Sequence, residues 1–318
     1  MTNKTYNLYF FALFYAIFIT YIVPWTTIYQ QEFVDVLNYL NRIEYLHKGG
    51  NEAIHSGISW LVYEPLWKYI IIGIGFTFDD YRLAIYLISI IIVFLYTIFL
   101  FKRIDYYIGM ILLFNPMFVD LVMSQIRSSF AFGLLLLAYD LRSRKLATLL
   151  AIASFLIHTS MIIFILIYFI LYKLNKTVAS KKYYLIAIFT AFFIALFMRY
   201  GIDILLTLVG DRRAGYDTII EAASISYSIV WFGIGLIIAT FATFEDEQER
   251  IIAGYAITIT SFFFFSSVMG SFAQRFLALT LPLIIISVSY LPKHYRQGTY
   301  IIFWLYILLM FKYRLANV

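Results

Sequence analysis

Two arginines and one histidine sit among apolar residues, where a charge is costly and has to be used or shielded. Arg127 lies in Met123-Ser124-Gln125-Ile126-Arg127-Ser128-Ser129, and Arg275 in Ser271-Phe272-Ala273-Gln274-Arg275-Phe276. A guanidinium presents a planar fork that suits phosphate oxygens, and Gln125 and Gln274 add amide groups beside the two forks. The plain alternative is an arginine whose stem lies along apolar surface while its head reaches water. His158 interrupts the apolar stretch 146–172. It can serve as a general base near neutral pH or pack as a hydrogen-bonded ring. Glu64, just before Pro65, is a second candidate base; its simpler role is a carboxylate facing the positive end of a helix.

Other candidates lie in two polar stretches. Arg212 and Arg213, close to Gly215 and Tyr216, make a basic knuckle that suits an anionic substrate or simply water. Asp35, Tyr39 and Glu44 fall on one face of a loop helix, available to a substrate or to solvent.

The elements that must position these groups belong in a bilayer. Of 318 residues, 63% are hydrophobic and 13% charged, with mean hydropathy +0.86. A soluble domain carries about half apolar and roughly a quarter charged residues. This excludes an ordinary soluble enzyme, a disordered chain and a nucleic-acid-binding module. The net charge of +6 then reads as loop charge that sets orientation. With no cysteine and four histidines, disulfides and thiolate metal sites are excluded and little remains for a metal centre. There is no phosphate-binding glycine loop, HExxH or nucleophile elbow. An ATP-driven pump or a nucleotide-sugar synthase therefore does not fit.

A membrane helix needs about 20 apolar residues. Spans are expected at 6–23, 84–101, 106–122, 130–140, 146–172 (broken at His158-Thr159-Ser160), 183–198, 227–244, 251–268, 276–291 and 300–311. The expectation is a single all-α, polytopic membrane domain, 1–318, with about ten membrane helices, some broken or re-entrant. The stretch 64–78 is short and reads as re-entrant or interfacial. The first span reads as retained, because no small-residue cleavage site follows it. Short Lys/Arg-rich loops stay cytoplasmic, which places 102–105, 142–145, 173–182 and 292–296 inside. The long loops 26–63 and 199–226, with Arg127 and Arg275, then face outward, and His158 comes near that face.

The order Asp35…Tyr39, Tyr63-Glu64-Pro65, Gln125-Ile126-Arg127 opening a helix, and His158-Thr159-Ser160 about thirty residues on resembles the EpsG family, which groups with Wzy-type O-antigen and capsule polymerases. The Arg-to-His segment is the most specific part; Gln274-Arg275 is a weaker match. The resemblance implies a glycosyltransferase acting on lipid-linked repeat units at the outer face of a bacterial cytoplasmic (inner) membrane. A glycan on undecaprenyl diphosphate would pass onto another lipid-linked unit, building O-antigen, lipopolysaccharide, capsule or exopolysaccharide. No cofactor, metal, nucleotide or nucleic acid is implied, because the lipid diphosphate is itself the leaving group. The implied partners are that lipid-linked oligosaccharide, the bilayer and a chain-length regulator. On this reading Arg127 and Arg275 hold the diphosphate and His158 or Glu64 deprotonates the attacking hydroxyl. An O-antigen ligase-type transferase and a transporter or flippase of lipid-linked oligosaccharide stay open as alternatives.

Overall fold

The computed structural model of the chain describes residues 3–50, 58–178, 180–209 and 223–316, and among them every regular element is helical. Contacts divide the chain into two units, 1–162 with 304–318 and 163–303.

The first unit begins with α1 (Asn3–Ile17), which continues as a π-turn, Phe18–Ile22. Widening the helix there turns the Ile19 carbonyl to the Trp25 indole N–H, which donates to it at 2.6 Å. Then come α2 (Trp25–Tyr29), α3 (Val34–His47), α4 (Ile58–Val62) and α5 (Pro65–Thr77). The long apolar α6 (Tyr81–Phe101) packs against α1 and α9 (Ile126–Asp140), with α7 (Tyr106–Leu113) and α8 (Pro116–Met123) between them in sequence. The last helix wholly within this unit is α10 (Arg144–Ile157).

α9 and α10 are joined by three residues, the connection of antiparallel neighbours. The Ser154 hydroxyl on α10 donates to the Ala131 carbonyl on α9 at 2.8 Å. The start of α9 and the end of α10 therefore share one end of the hairpin. At the other end Asp140 accepts from Lys102 at 2.8 Å and from Arg103 at 2.5 Å. The two basic turns, 102–105 and 142–145, therefore lie at the same end of the hairpin.

α11 (Met161–Thr177) leads into the second unit, where α12 (Ser180–Tyr200), α13 (Ile202–Leu208), α14 (Ile225–Phe241), α15 (Glu247–Val268), α16 (Gln274–Leu279) and α17 (Leu281–Ser289) follow. α15 is the buried axis of this unit, packed against α12, α14 and α17. α18 (Lys293–Ala316) starts in the second unit and returns to the first.

The expected pattern has about ten membrane helices, some of them broken or re-entrant. Among the described residues three helices are long and apolar enough to cross a bilayer, or four if a bent pair counts as one. That pair is α7 and α8, expected as one span over 106–122 and instead bent by 78°. A residue before proline avoids the helical region; Asn115 is extended before Pro116, and its side chain caps the Met117 N–H at 2.9 Å. The span expected over 276–291 is likewise divided, at Thr280 ahead of Pro282. The expected basic turn 292–296 is mostly the first turn of α18, because lysine and arginine are good helix formers. The stretch 64–78 does form a helix too short to span, and the 146–172 run is broken at His158–Ser160.

Candidate functional site

Three sequence-distant elements of the first unit converge on the Glu64 carboxylate. α5 begins at Pro65, a suitable first helical residue, so Glu64 is the residue that must turn the chain into the helix. It does so with φ 57° and ψ 61°. A left-handed conformation in a residue other than glycine costs on the order of 1–3 kcal/mol; the following proline restricts the residue further. Glu64 stands at the N-cap position of α5, and its side chain makes no capping hydrogen bond there. Glu64 is 5% exposed, and its carboxylate is turned toward α9 and α10.

There Arg127 donates through Nη1 to Glu64 Oε2 at 2.5 Å, and His158 Nδ1 lies 2.6 Å from Oε1. Arg127 stands in the first turn of α9, and His158 is the extended residue that ends α10, its N–H donating to the Ser154 carbonyl at 2.9 Å. The α9–α10 hairpin thus brings these two residues to one end, and α5 against α10 adds the carboxylate. The Thr159 N–H also approaches Oε1, at 3.4 Å. A carboxylate can only accept, so the imidazole bears its proton on Nδ1 in this contact, and Nε2 becomes its basic nitrogen. Glu64 therefore sets the ring's orientation and tautomer, as the acid of a Ser-His-Asp triad does.

α3 supplies the next group. Tyr39 packs edge-on against buried Trp67 of α5, with ring centroids 5.6 Å apart. Its phenol faces Arg127, and burial pushes it above the usual tyrosine range, with Arg127 drawing it back and Asp35 and Glu64 adding to the rise. Tyr39 therefore remains a neutral phenol, its oxygen accepting from the Arg127 backbone N–H. Asp35, one turn earlier, is close enough to act on that phenol electrostatically. Gln125 is the residue before α9, and its side-chain oxygen is buried without a hydrogen-bond partner.

Of the sequence candidates, Glu64, Arg127, His158 and Tyr39 thus gather, with Asp35 and Gln125 at the margin. Gln274 and Arg275 open α16 in the second unit, where the exposed Arg275 guanidinium lies 5.5 Å from the Phe272 ring centroid. Arg212 and Arg213 lie outside the described residues. Among the described residues no three His, Asp or Glu side chains are grouped to hold a metal ion. Sequence reasoning missed Trp67, whose only signal was its place three residues after Glu64 on a helix, and the Thr159 N–H.

A family model described as the EpsG family matches residues 8–317, nearly the whole chain. The chain belongs to the EpsG family. Members of the EpsG family are Wzy-type polymerase-like, and membership supports a membrane glycan polymerase-like role. The EpsG match spans every residue of the Glu64–Arg127–His158 cluster. Comparison with curated proteins and with solved structures gives no significant match.

Proposed function

We propose that this protein is a glycosyltransferase that polymerises lipid-diphosphate-linked repeat units at the outer face of the cytoplasmic membrane. The observation that carries the reading is the single carboxylate of Glu64 held between a guanidinium and an imidazole. The two oxygens divide the work. One fixes Arg127, whose remaining N–H donors suit diphosphate oxygens; the other fixes His158 as a base.

In the reaction, His158 Nε2 takes the proton of an acceptor sugar hydroxyl. The hydroxyl oxygen forms a bond to the anomeric carbon of the donor glycan, and the bond from that carbon to the diphosphate breaks. Negative charge grows on the departing undecaprenyl diphosphate, where a fixed positive group stabilises it. The imidazolium is stabilised by Glu64 and later releases its proton to water. Tyr39, a neutral donor beside Arg127, suits the same leaving group.

The outer placement follows from the charge rule. α9 carries Asp140, bound to Lys102 and Arg103, at one end and Arg127 at the other. With the basic end cytoplasmic, the helix from Asp140 to Arg127 carries the guanidinium's residue roughly 20 Å toward the far side.

Purified protein in liposomes, given undecaprenyl-diphosphate-linked repeat units, tests the reading. New glycosidic bonds with release of undecaprenyl diphosphate are expected. Movement of the lipid-linked units across the bilayer without bond formation would replace it with a flippase.

A further inference from the structure

We propose that Asp120 and Arg314, which no step above uses, are a positioning pair that sets Arg127 for the lipid diphosphate; this rests on the function just proposed. Asp120 is the one charged residue of α8, whose other seven residues are buried. Its carboxylate is ion-paired with the Arg314 guanidinium of α18, both side chains about a quarter exposed (24% and 26%). Arg314 also lies over the Tyr29 ring, 5.0 Å from its centroid. One turn earlier, Phe311 stacks on Trp25 with centroids 6.3 Å apart and meets Phe114 at 5.5 Å. The end of α18 therefore grips the α7–α8 pair at two points, an aromatic one at the bend and an ionic one on α8 itself.

The grip reaches Arg127 because α8 and α9 are joined by only Ser124 and Gln125, and both are tied down. The Ser124 N–H donates to the Asp120 carbonyl at 2.9 Å, and the Gln125 N–H to the Leu121 carbonyl at 3.1 Å. The Ser129 hydroxyl spans the joint, lying 3.3 Å from the Leu121 carbonyl and 2.8 Å from the Gln125 carbonyl. A link with so few free dihedrals transmits a shift of α8 to the first turn of α9, where Arg127 stands. Without Arg314, Asp120 would be a part-buried charge with its ionic partner gone, and α8 would move to hydrate it. A misplacement of about 1 Å at a reacting group costs on the order of a hundredfold in rate.

The test uses the full-length purified protein with undecaprenyl diphosphate as the binding probe and lipid-linked repeat units as substrate. Arg314→Ala should lower both affinity for the diphosphate and elongation rate by about tenfold or more. Arg314→Lys should retain most of both, because it keeps the charge. The decisive variant is Arg127→Ala combined with Arg314→Ala. If the pair acts through Arg127, the double substitution binds the diphosphate no worse than Arg127→Ala alone, whereas independent contributions would add. Should Arg314→Ala fail to fold, the exchange Asp120→Arg with Arg314→Asp carries the test, and it should bind better than either single reversal. Wild-type affinity in Arg314→Ala, additivity with Arg127→Ala, or an exchange no better than its single reversals would overturn the proposal. A wild-type protein that binds the diphosphate yet forms no glycosidic bond would instead overturn the polymerase reading, and the binding arm would still judge the pair.

Discussion

Glu64 and His158 stand 94 positions apart and meet at 2.6 Å, carboxylate Oε1 against imidazole Nδ1. Neither residue is held there by its own helix alone. Glu64 leaves the ordinary backbone region to enter α5, with φ 57°, and His158 ends α10 in an extended conformation. Strain of this kind persists only where the surroundings hold it, and it concentrates at functional sites.

Glu64→Gln keeps the shape of the side chain but can present an amide N–H to Nδ1. That favours the wrong tautomer and removes the charge that stabilises the imidazolium. In triads the equivalent change costs about 10⁴ in kcat. A loss on the order of 10³ or more in bond formation is expected here, measured on purified protein at matched expression. A variant within threefold of wild type would mean that Glu64 does not orient the base.

Arg127→Lys should fail to rescue Arg127→Ala. The guanidinium binds Glu64 Oε2 through Nη1 and still offers other donors to an anion, which an ammonium cannot do in the same plane. Removing a single stabilising donor from such a site costs about 10²–10³ in kcat. Single-turnover kinetics would read it, and a fully active lysine variant would argue against bidentate recognition.

Much of this site is legible in the sequence, for an energetic reason. Charges inside apolar runs are expensive, so Arg127 and His158 stand out from the composition alone. What the sequence does not display is their shared partner. Glu64 reads as a rival base or a helix cap because the contact spans 94 positions and arises from α5 packing on α10, which no local pattern encodes. The breaks in the fold were marked by Pro116 and Pro282, but long apolar runs outweigh a proline when spans are drawn by hydropathy. The charged start of α18 hid a helix for the converse reason, since polar residues at a span's end look like a loop. Asp35 and Tyr39 were legible as one helical face, though not that Tyr39 would face Arg127.

Tyr39→Phe should be mild. The ring keeps its place against Trp67, while the hydroxyl beside Arg127 is lost. The expected cost is that of one hydrogen bond, about 1 kcal/mol or a few-fold in diphosphate affinity. Calorimetric titration with undecaprenyl diphosphate would measure it. An abolished enzyme would give Tyr39 a direct chemical role.

Gly235→Ala is a test of packing in the second unit, away from the chemistry. A methyl group there would collide with the Thr260 hydroxyl of α15. Overpacking of this type costs about 1–3 kcal/mol. A lower melting temperature in detergent is expected, and an unchanged one would show that α14 and α15 can part at no cost.

The most direct measurement is the rate of glycosidic bond formation by purified wild type, Arg127→Ala, His158→Ala and the double variant, all at equal insertion. Groups joined through one carboxylate act as a unit, and the losses of such units do not add. The double variant should be about as impaired as the worse single one, with both singles far below wild type. Wild-type chain lengths in either single variant, or losses that multiply in the double, would contradict the account.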